Sequence, residues 1–319
     1  MTICTSGDNL NTKLSSTGWL TNLHIAVEAY NYFIEHGTHK HIFKEKEIEV
    51  HYCDLTEDNV NQLLEMDDAL GSLEEIFLAS SKGGIINLPR ERINIEGSSF
   101  NFMAASWEEK GIVGYKSYVA GSKGLSFHVL IYSLEDNQLL TMIEANRLGQ
   151  LRTGAASGIA TKYLSTNDSI DLGVYGSGFQ AETQIEAISR VKNIKSCIVY
   201  SRNSDNREKF CEKMTEKLGF SLEPTDDPKE SAIDKDVIVT VTNSPEPVLM
   251  GDWISSGTHI NAAGSNIASK KEIDLEVVEK SDLIVVDDLN QAKTECGDLI
   301  QAGIGFDWSN VLLLEDIVS

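Results

Sequence analysis

Along the second half of the chain short apolar runs recur at regular intervals, each followed by a stretch with helical spacing. Ile170–Tyr175, Ser196–Tyr200, Val237–Val241, His259–Ala262 and Asp282–Val286 read as strands, with Phe179–Val191 and Asp205–Leu218 as helices between them. This alternation predicts a parallel sheet, because a strand returning parallel to its predecessor needs a crossover, and crossover helices cover both faces. The region before it has another texture. Thr56 is placed to cap a helix running through Met66, and a second helix is expected over Asp67–Ser81, closed by Gly83-Gly84. After Pro89 the short, turn-bounded runs Ile93–Ile95, Asn101–Ala105, Ile112–Val119, Ser126–Ser133 and Gln138–Glu144 predict a mostly antiparallel or mixed sheet. Gly149–Leu164, with Ala155, Ala156, Gly158 and Ala160 closely spaced, predicts a tightly packed helix that links the two regions.

The first fifty residues fit neither pattern. They begin polar, pass through an amphipathic segment at Leu20–Ile34 and end near a short strand at Ile48–Tyr52. His36, His39 and His41 stand beside Lys40, Lys44 and Lys46 without Cys or carboxylate partners at ligand spacing, so they read as a solvated loop and no metal site is expected. The resulting fold class is α/β: a 1–50 extension, an α+β substrate-binding and dimerisation domain over 51–150, a Rossmann-type doubly wound domain over 151–305, and a short tail over 306–319 expected to return toward the first domain.

Composition narrows the partners. The 319 residues carry a formal net charge of -22, which repels phosphate backbones and anionic membranes, so nucleic acid and membrane are not expected as partners. The five cysteines contain no CxxC pair and suit a reducing compartment. With no apolar run near the ~20 residues of a membrane span and no signal-like start, a cytoplasmic protein is expected. Any anionic cofactor must meet a local set of donors.

That set is legible at Gly176-Ser177-Gly178-Phe179-Gln180-Ala181, a GxGxxA turn directly after an apolar strand and before a helix. Gly176 permits the turn, Gly178 lets the backbone approach a pyrophosphate, Ala181 lets the helix lie close on the strand, and the helix N-terminus supplies amide donors. The second strand ends in Ser201-Arg202-Asn203 where NAD enzymes usually place an acid for the ribose hydroxyl. A hydroxyl and a guanidinium suit a 2'-phosphate, so NADP(H) is preferred and NAD(H) possible, with Asp205 as the acid that could reach back. Thr242 after the third strand, and Ala263 and Gly264 after the fourth, are placed to line the nicotinamide side.

Three cations stand out against the acidic background: Arg90 after Pro89, Lys116 in Gly114-Tyr115-Lys116, and Arg152 in Leu151-Arg152-Thr153-Gly154-Ala155. The segments Met142–Ser157, the Gly176 turn, Thr240–Pro247, Gly257–Gly264 and Asp282–Asp288 together resemble the ornithine cyclodeaminase/mu-crystallin family, over residues from about 50 to 314. The family includes ornithine cyclodeaminase, a type of alanine dehydrogenase, ketimine reductases and the NADPH-binding mu-crystallin. The resemblance implies a Rossmann domain paired with a substrate domain that also forms a homodimer. It implies that Arg90 and Arg152 grip a substrate carboxylate while Lys116 exchanges a proton near the imine nitrogen, and it adds Thr153 to the cofactor-binding residues. The activity it implies is nicotinamide-dependent oxidoreduction of a small amino or imino acid, with Lys116, Arg152 and Asn266 as catalytic residues.

Two departures bear on that expectation. Cyclodeaminase-type members carry an Asp where this chain has Asn266, and an amide cannot act as a general base. This favours imine reduction or its reverse over the alternative, ring-forming deamination of ornithine. Family members also continue past the position of Ser319 with a segment that returns to the first domain. Either the leader takes that segment's place or the chain is inactive, and an NADPH-binding protein without turnover is the second alternative. Cys53 and His128 are read as structural.

Overall fold

A computed structural model of the chain describes residues 2–5, 26, 53–122 and 124–319. The histidine tract and the strand expected at Ile48–Tyr52 lie outside the described residues, as does the leader helix except for Ala26, which is helical and buried. The chain divides into two compact units, residues 1–17 with 153–319 and residues 18–152. The first contains strand β1 (Thr2–Thr5), whose partners come from far along the sequence.

The smaller unit is built on a six-stranded sheet. Strands β2 (Cys53–Leu55), β3 (Ile85–Ile95), β4 (Ser98–Trp107), β5 (Ile112–Gly121), β6 (Gly124–Ser133) and β7 (Leu139–Glu144) lie in the order β2-β7-β6-β5-β4-β3. β3 to β7 form an antiparallel meander, and β2 joins β7 in parallel. The strands are longer than their apolar runs suggested, and β3 starts before Pro89. The register slips between Leu88 and Glu91, so Pro89 and Arg90 sit in a bulge of the edge strand, where the missing proline N–H costs little ladder bonding.

Two helices follow β2. Thr56 caps α1 (Glu57–Leu63) through a reciprocal pair with Asn59. The helix ends at Leu63 instead of continuing through Met66, because Leu64 and Glu65 are extended and Glu65 opens α2 (Met66–Ser81) in its own capping box with Asp68. Gly83 then takes a left-handed φ of 79° beyond the end of α2. Helix α3 (Asn146–Leu164) starts in this unit, and Glu57 fixes its first turn. The Glu57 carboxylate accepts the N–H groups of Asn146 (2.5 Å) and Arg147 (2.9 Å), while its own N–H donates to Glu144 at 2.9 Å.

The larger unit alternates as expected: β8 (Ser169–Tyr175), α4 (Phe179–Val191), β9 (Asn193–Tyr200), α5 (Ser204–Leu218), β10 (Glu223–Thr225), β11 (Val237–Thr240), β12 (His259–Ala262), α6 (Leu275–Glu279), β13 (Ser281–Val286), α7 (Leu289–Glu295), α8 (Gly297–Ile300), β14 (Val311–Leu313) and α9 (Leu314–Val318). The sheet order is β10-β9-β8-β11-β12-β1-β13-β14. Successive residues of β11 face opposite sides, Ile238 in one core cluster and Val237 and Val239 in the other, as a sheet covered on both faces requires. In the first cluster's strand β12, His259 and Asn261 both meet the Thr161 hydroxyl of α3, and burial pushes the imidazole down to about 3, so it stays neutral.

Two features depart from the expected organisation. β1 pairs antiparallel with both β12 and β13, so the sheet is mixed and part of the leader is built into it. Residues 306–319, expected to turn back toward the first domain, instead add β14 in parallel to β13. Phe306, Trp308, Val311 and Leu313 pack into the core cluster of this unit, and that apolar contact holds the tail there.

Candidate active site

In the smaller unit the sheet places Lys116 in the middle of β5, opposite Met103 of β4 and Val129 of β6. Its neighbours are buried apolar side chains, and Lys116 itself is 5% exposed. The Nζ atom stands 4.7 Å from the centroid of the Phe127 ring, a cation–π arrangement. Gly149 in the first turns of α3 lies close by, where a Cβ would be 3.5 Å from Nζ, at ordinary contact distance. Burial pushes the Lys116 pKa well below the ordinary lysine range, and the charges of Arg152 and then Arg90 push it further. The bulge in β3 and the start of α3 thus bring Arg90 and Arg152 to Lys116.

In the larger unit the βα turn after β8 has the backbone its glycines imply. Gly176 takes φ 120°, and a Cβ there would lie 2.5 Å from the Val241 carbonyl oxygen, so no other residue fits. Gly178 is the N-cap of α4 with no side-chain cap, and a Cβ on it would meet nothing within 4 Å. Open space over an uncapped helix N-terminus is what a pyrophosphate needs. Phe179 is exposed, Gln180 half-buried, and Ala181 fully buried against the sheet. The Gln184 side chain donates to the Thr153 carbonyl at 3.1 Å. Gly154 touches the Thr183 backbone, which explains the small residues of α3.

The end of β9 is tied to this turn by a 2.8 Å hydrogen bond between the Ser177 and Ser201 hydroxyls. Arg207 of α5, almost fully buried, donates to the Ser201 carbonyl and pairs with Asp226. Arg202 is exposed beside it, and the Asn203 side chain is occupied in capping α5.

β11 and β12 end in the loops that carry Thr242, Ala263 and Gly264, and Thr242 and Gly264 converge on a residue that sequence reasoning missed. Glu272, fully buried, accepts from the Thr242 N–H (2.5 Å), the Gly264 N–H (2.7 Å) and the Thr240 hydroxyl (3.1 Å). Its own N–H donates to Asp298 at 2.7 Å. Burial and then the Asp298 charge raise its pKa to about 7, against the pull of the hydrogen bonds from Thr242 and Gly264. Lys270-Lys271-Glu272 reads as a solvated charge run, and no local pattern marks it as buried. Asn266, in the same loop region, is exposed.

Among the described residues no helix is long and apolar enough to cross a membrane, and no group of three His, Cys, Asp or Glu side chains could hold a metal ion. Cys53, Cys197, Cys211 and Cys296 are buried.

The sequence profile of the ornithine cyclodeaminase/mu-crystallin family matches residues 51–316. An alanine dehydrogenase from Archaeoglobus fulgidus is 36% identical over 256 residues, covering 75% of this chain and 74% of the relative. The structure of Thermococcus litoralis Delta(1)-pyrroline-2-carboxylate reductase in complex with NADH and L-proline superimposes with a TM-score of 0.78 at 31% identity, over 83% of this chain and 85% of that one. An archaeal alanine dehydrogenase dimer with bound NAD gives a TM-score of 0.72 at 28% identity, over 84% and 93%.

Proposed function

This chain belongs to the ornithine cyclodeaminase/mu-crystallin family, and from that premise we propose that it is a nicotinamide-dependent oxidoreductase interconverting a small imino acid and the corresponding amino acid. The observation that carries the reading is the gathering of Arg90, Lys116 and Arg152 in a protein of net charge -22. Three cations cost free energy to bring together and invite an anion, and a planar carboxylate suits guanidinium groups. A lysine of depressed pKa between them gives up its proton more readily than an ordinary lysine, as a proton-exchanging group must. In the reductive direction the substrate carboxylate binds the two arginines, and Lys116 holds the proton that the imine nitrogen receives. When bound, the dinucleotide supplies the hydride accepted by the α-carbon. The Gly176 turn, Thr153, Ser177, Phe179 and Gln180 are the residues that would hold it.

We assign NADP(H) as the preferred cofactor on the exposed Arg202 beside Ser201, with no acid at the end of β9; the two solved relatives named above were captured with NADH and NAD, so either dinucleotide is expected to enter. The outcome of a cofactor titration distinguishes them. NADPH should bind more tightly than NADH to the wild type, and Arg202→Asp should weaken NADPH about tenfold while sparing NADH. Equal affinities unaffected by the substitution refute the NADP(H) preference.

Nicotinamide absorbance, followed with pyrroline-2-carboxylate and with pyruvate plus ammonia, tests the reaction. Turnover by the wild type with a loss of about 10²–10⁴ in Lys116→Met is expected. If the variant turns over as fast as the wild type, Lys116 is not the proton-carrying group. Asn266 supplies no general base, which sets the reading against ring-forming deamination.

A further inference from the structure

We infer that Glu272 is a positioning residue that locks the nicotinamide half of the cofactor site, by clasping the end of β11 to the loop after β12. The inference rests on the reading of the larger unit as the dinucleotide site. In a doubly wound sheet the order reverses between β8 and β11, so β8 to β10 serve one half of a dinucleotide and the ends of β11 and β12 the other. The Gly176 turn lies at the switch point. The loops carrying Thr242 and Gly264 lie on the far side of it, joined at the backbone by the bond from the Ala263 N–H to the Thr240 carbonyl.

One carboxylate joins them. Glu272 takes a donor from each loop and the Thr240 hydroxyl from the strand between, and its placement leaves no slack. A Cβ on Gly264 would come within 2.5 Å of both the Glu272 carboxylate and the Thr242 carbonyl, so the loop is drawn flat against the clasp. Asp298 of α8 fixes the clasp from behind by accepting the N–H groups of Glu272 and Ile273. The charged group facing Glu272 is Asp298, whereas β11 and the β12 loop present hydroxyl and amide donors.

The three donors are held most strongly by an ionised acceptor. A proton on Glu272 would remove the charge that strengthens all three bonds and turn one acceptor position into a donor, so the two loops would be held less tightly. With the carboxyl raised to about 7, this exchange falls in the ordinary working range.

Calorimetric titration with NADH and with ADP-ribose, which lacks the nicotinamide, tests the role at pH 8 in the wild type and in Glu272→Gln. The expected result is NADH affinity about tenfold weaker in the variant with ADP-ribose unchanged within about twofold. In the wild type alone, NADH affinity should fall relative to ADP-ribose between pH 8 and pH 6, so the inference stays testable if the variant does not fold. Equal weakening of both ligands, or a flat wild-type ratio across that range, overturns it. A wild type that binds neither ligand instead removes the cofactor reading, and the inference with it.

Discussion

Two buried titratable residues stand out at the scale of single side chains, and they are tuned in opposite directions by the same cause. Burial lowers Lys116 and raises Glu272, in each case because a low-dielectric surrounding disfavours the charged form. Like charges then add to the effect: Arg152 and Arg90 for the lysine, Asp298 for the glutamate. The order of these causes makes a prediction. Replacing Arg152 by Gln relieves the larger of the two charge effects on Lys116, so the lysine pKa moves up and the pH at which reductive kcat/KM falls moves up with it. Arg90→Gln should move that limb less. Both variants should also raise KM for the carboxylate substrate about tenfold or more, since each removes a charge-assisted partner. A pH–rate profile measured in both variants decides it, and an unmoved or downward-shifted limb would show that the arginines do not act on Lys116.

At the level of elements, what could be read in advance was whatever the backbone itself demands. The Gly176 turn was legible because φ 120° beside the Val241 carbonyl admits only glycine, and that requirement leaves a fixed trace in the sequence. Thr56 was legible as a cap for a similar reason, its hydroxyl serving donors only three residues away. The end of α1 was misplaced because Glu65 and Asp68 start a new helix where apolar spacing alone suggests continuity. Short strands escaped altogether. β10 and β14 are three residues each, too short for any period, and are defined by their neighbours in the sheet. Glu272 escaped for a deeper reason. Its burial depends on where the ends of β11 and β12 meet, a tertiary fact with no local signature. The cation cluster stood in between: its members were visible as Arg and Lys in an acidic chain, but their convergence on β5 depends on a bulge beside Pro89 and on the start of α3.

For the molecule as a whole, the smaller unit raises the question of assembly. Ile86, Leu88, Ile93 and Ile95 of β3, with Val119 of β5 and Leu125 of β6, are all more than half exposed, and so many large apolar side chains on one antiparallel sheet suit a covered surface. We propose that a second copy covers it. Light scattering should give twice the mass of one chain, and Ile93→Glu with Ile95→Glu should shift it toward one. A wild type that stays monomeric at micromolar concentration excludes this assembly.

The position of β1 carries a further consequence, for the order of events during synthesis. Thr2–Thr5 is made long before β12 and β13, yet it lies between them. The sheet of the larger unit therefore cannot be completed strand by strand as the chain emerges. β1 has to wait, unpaired in this sheet, until β12 and β13 have been made, so its insertion carries the long loop-closure distance that slows folding.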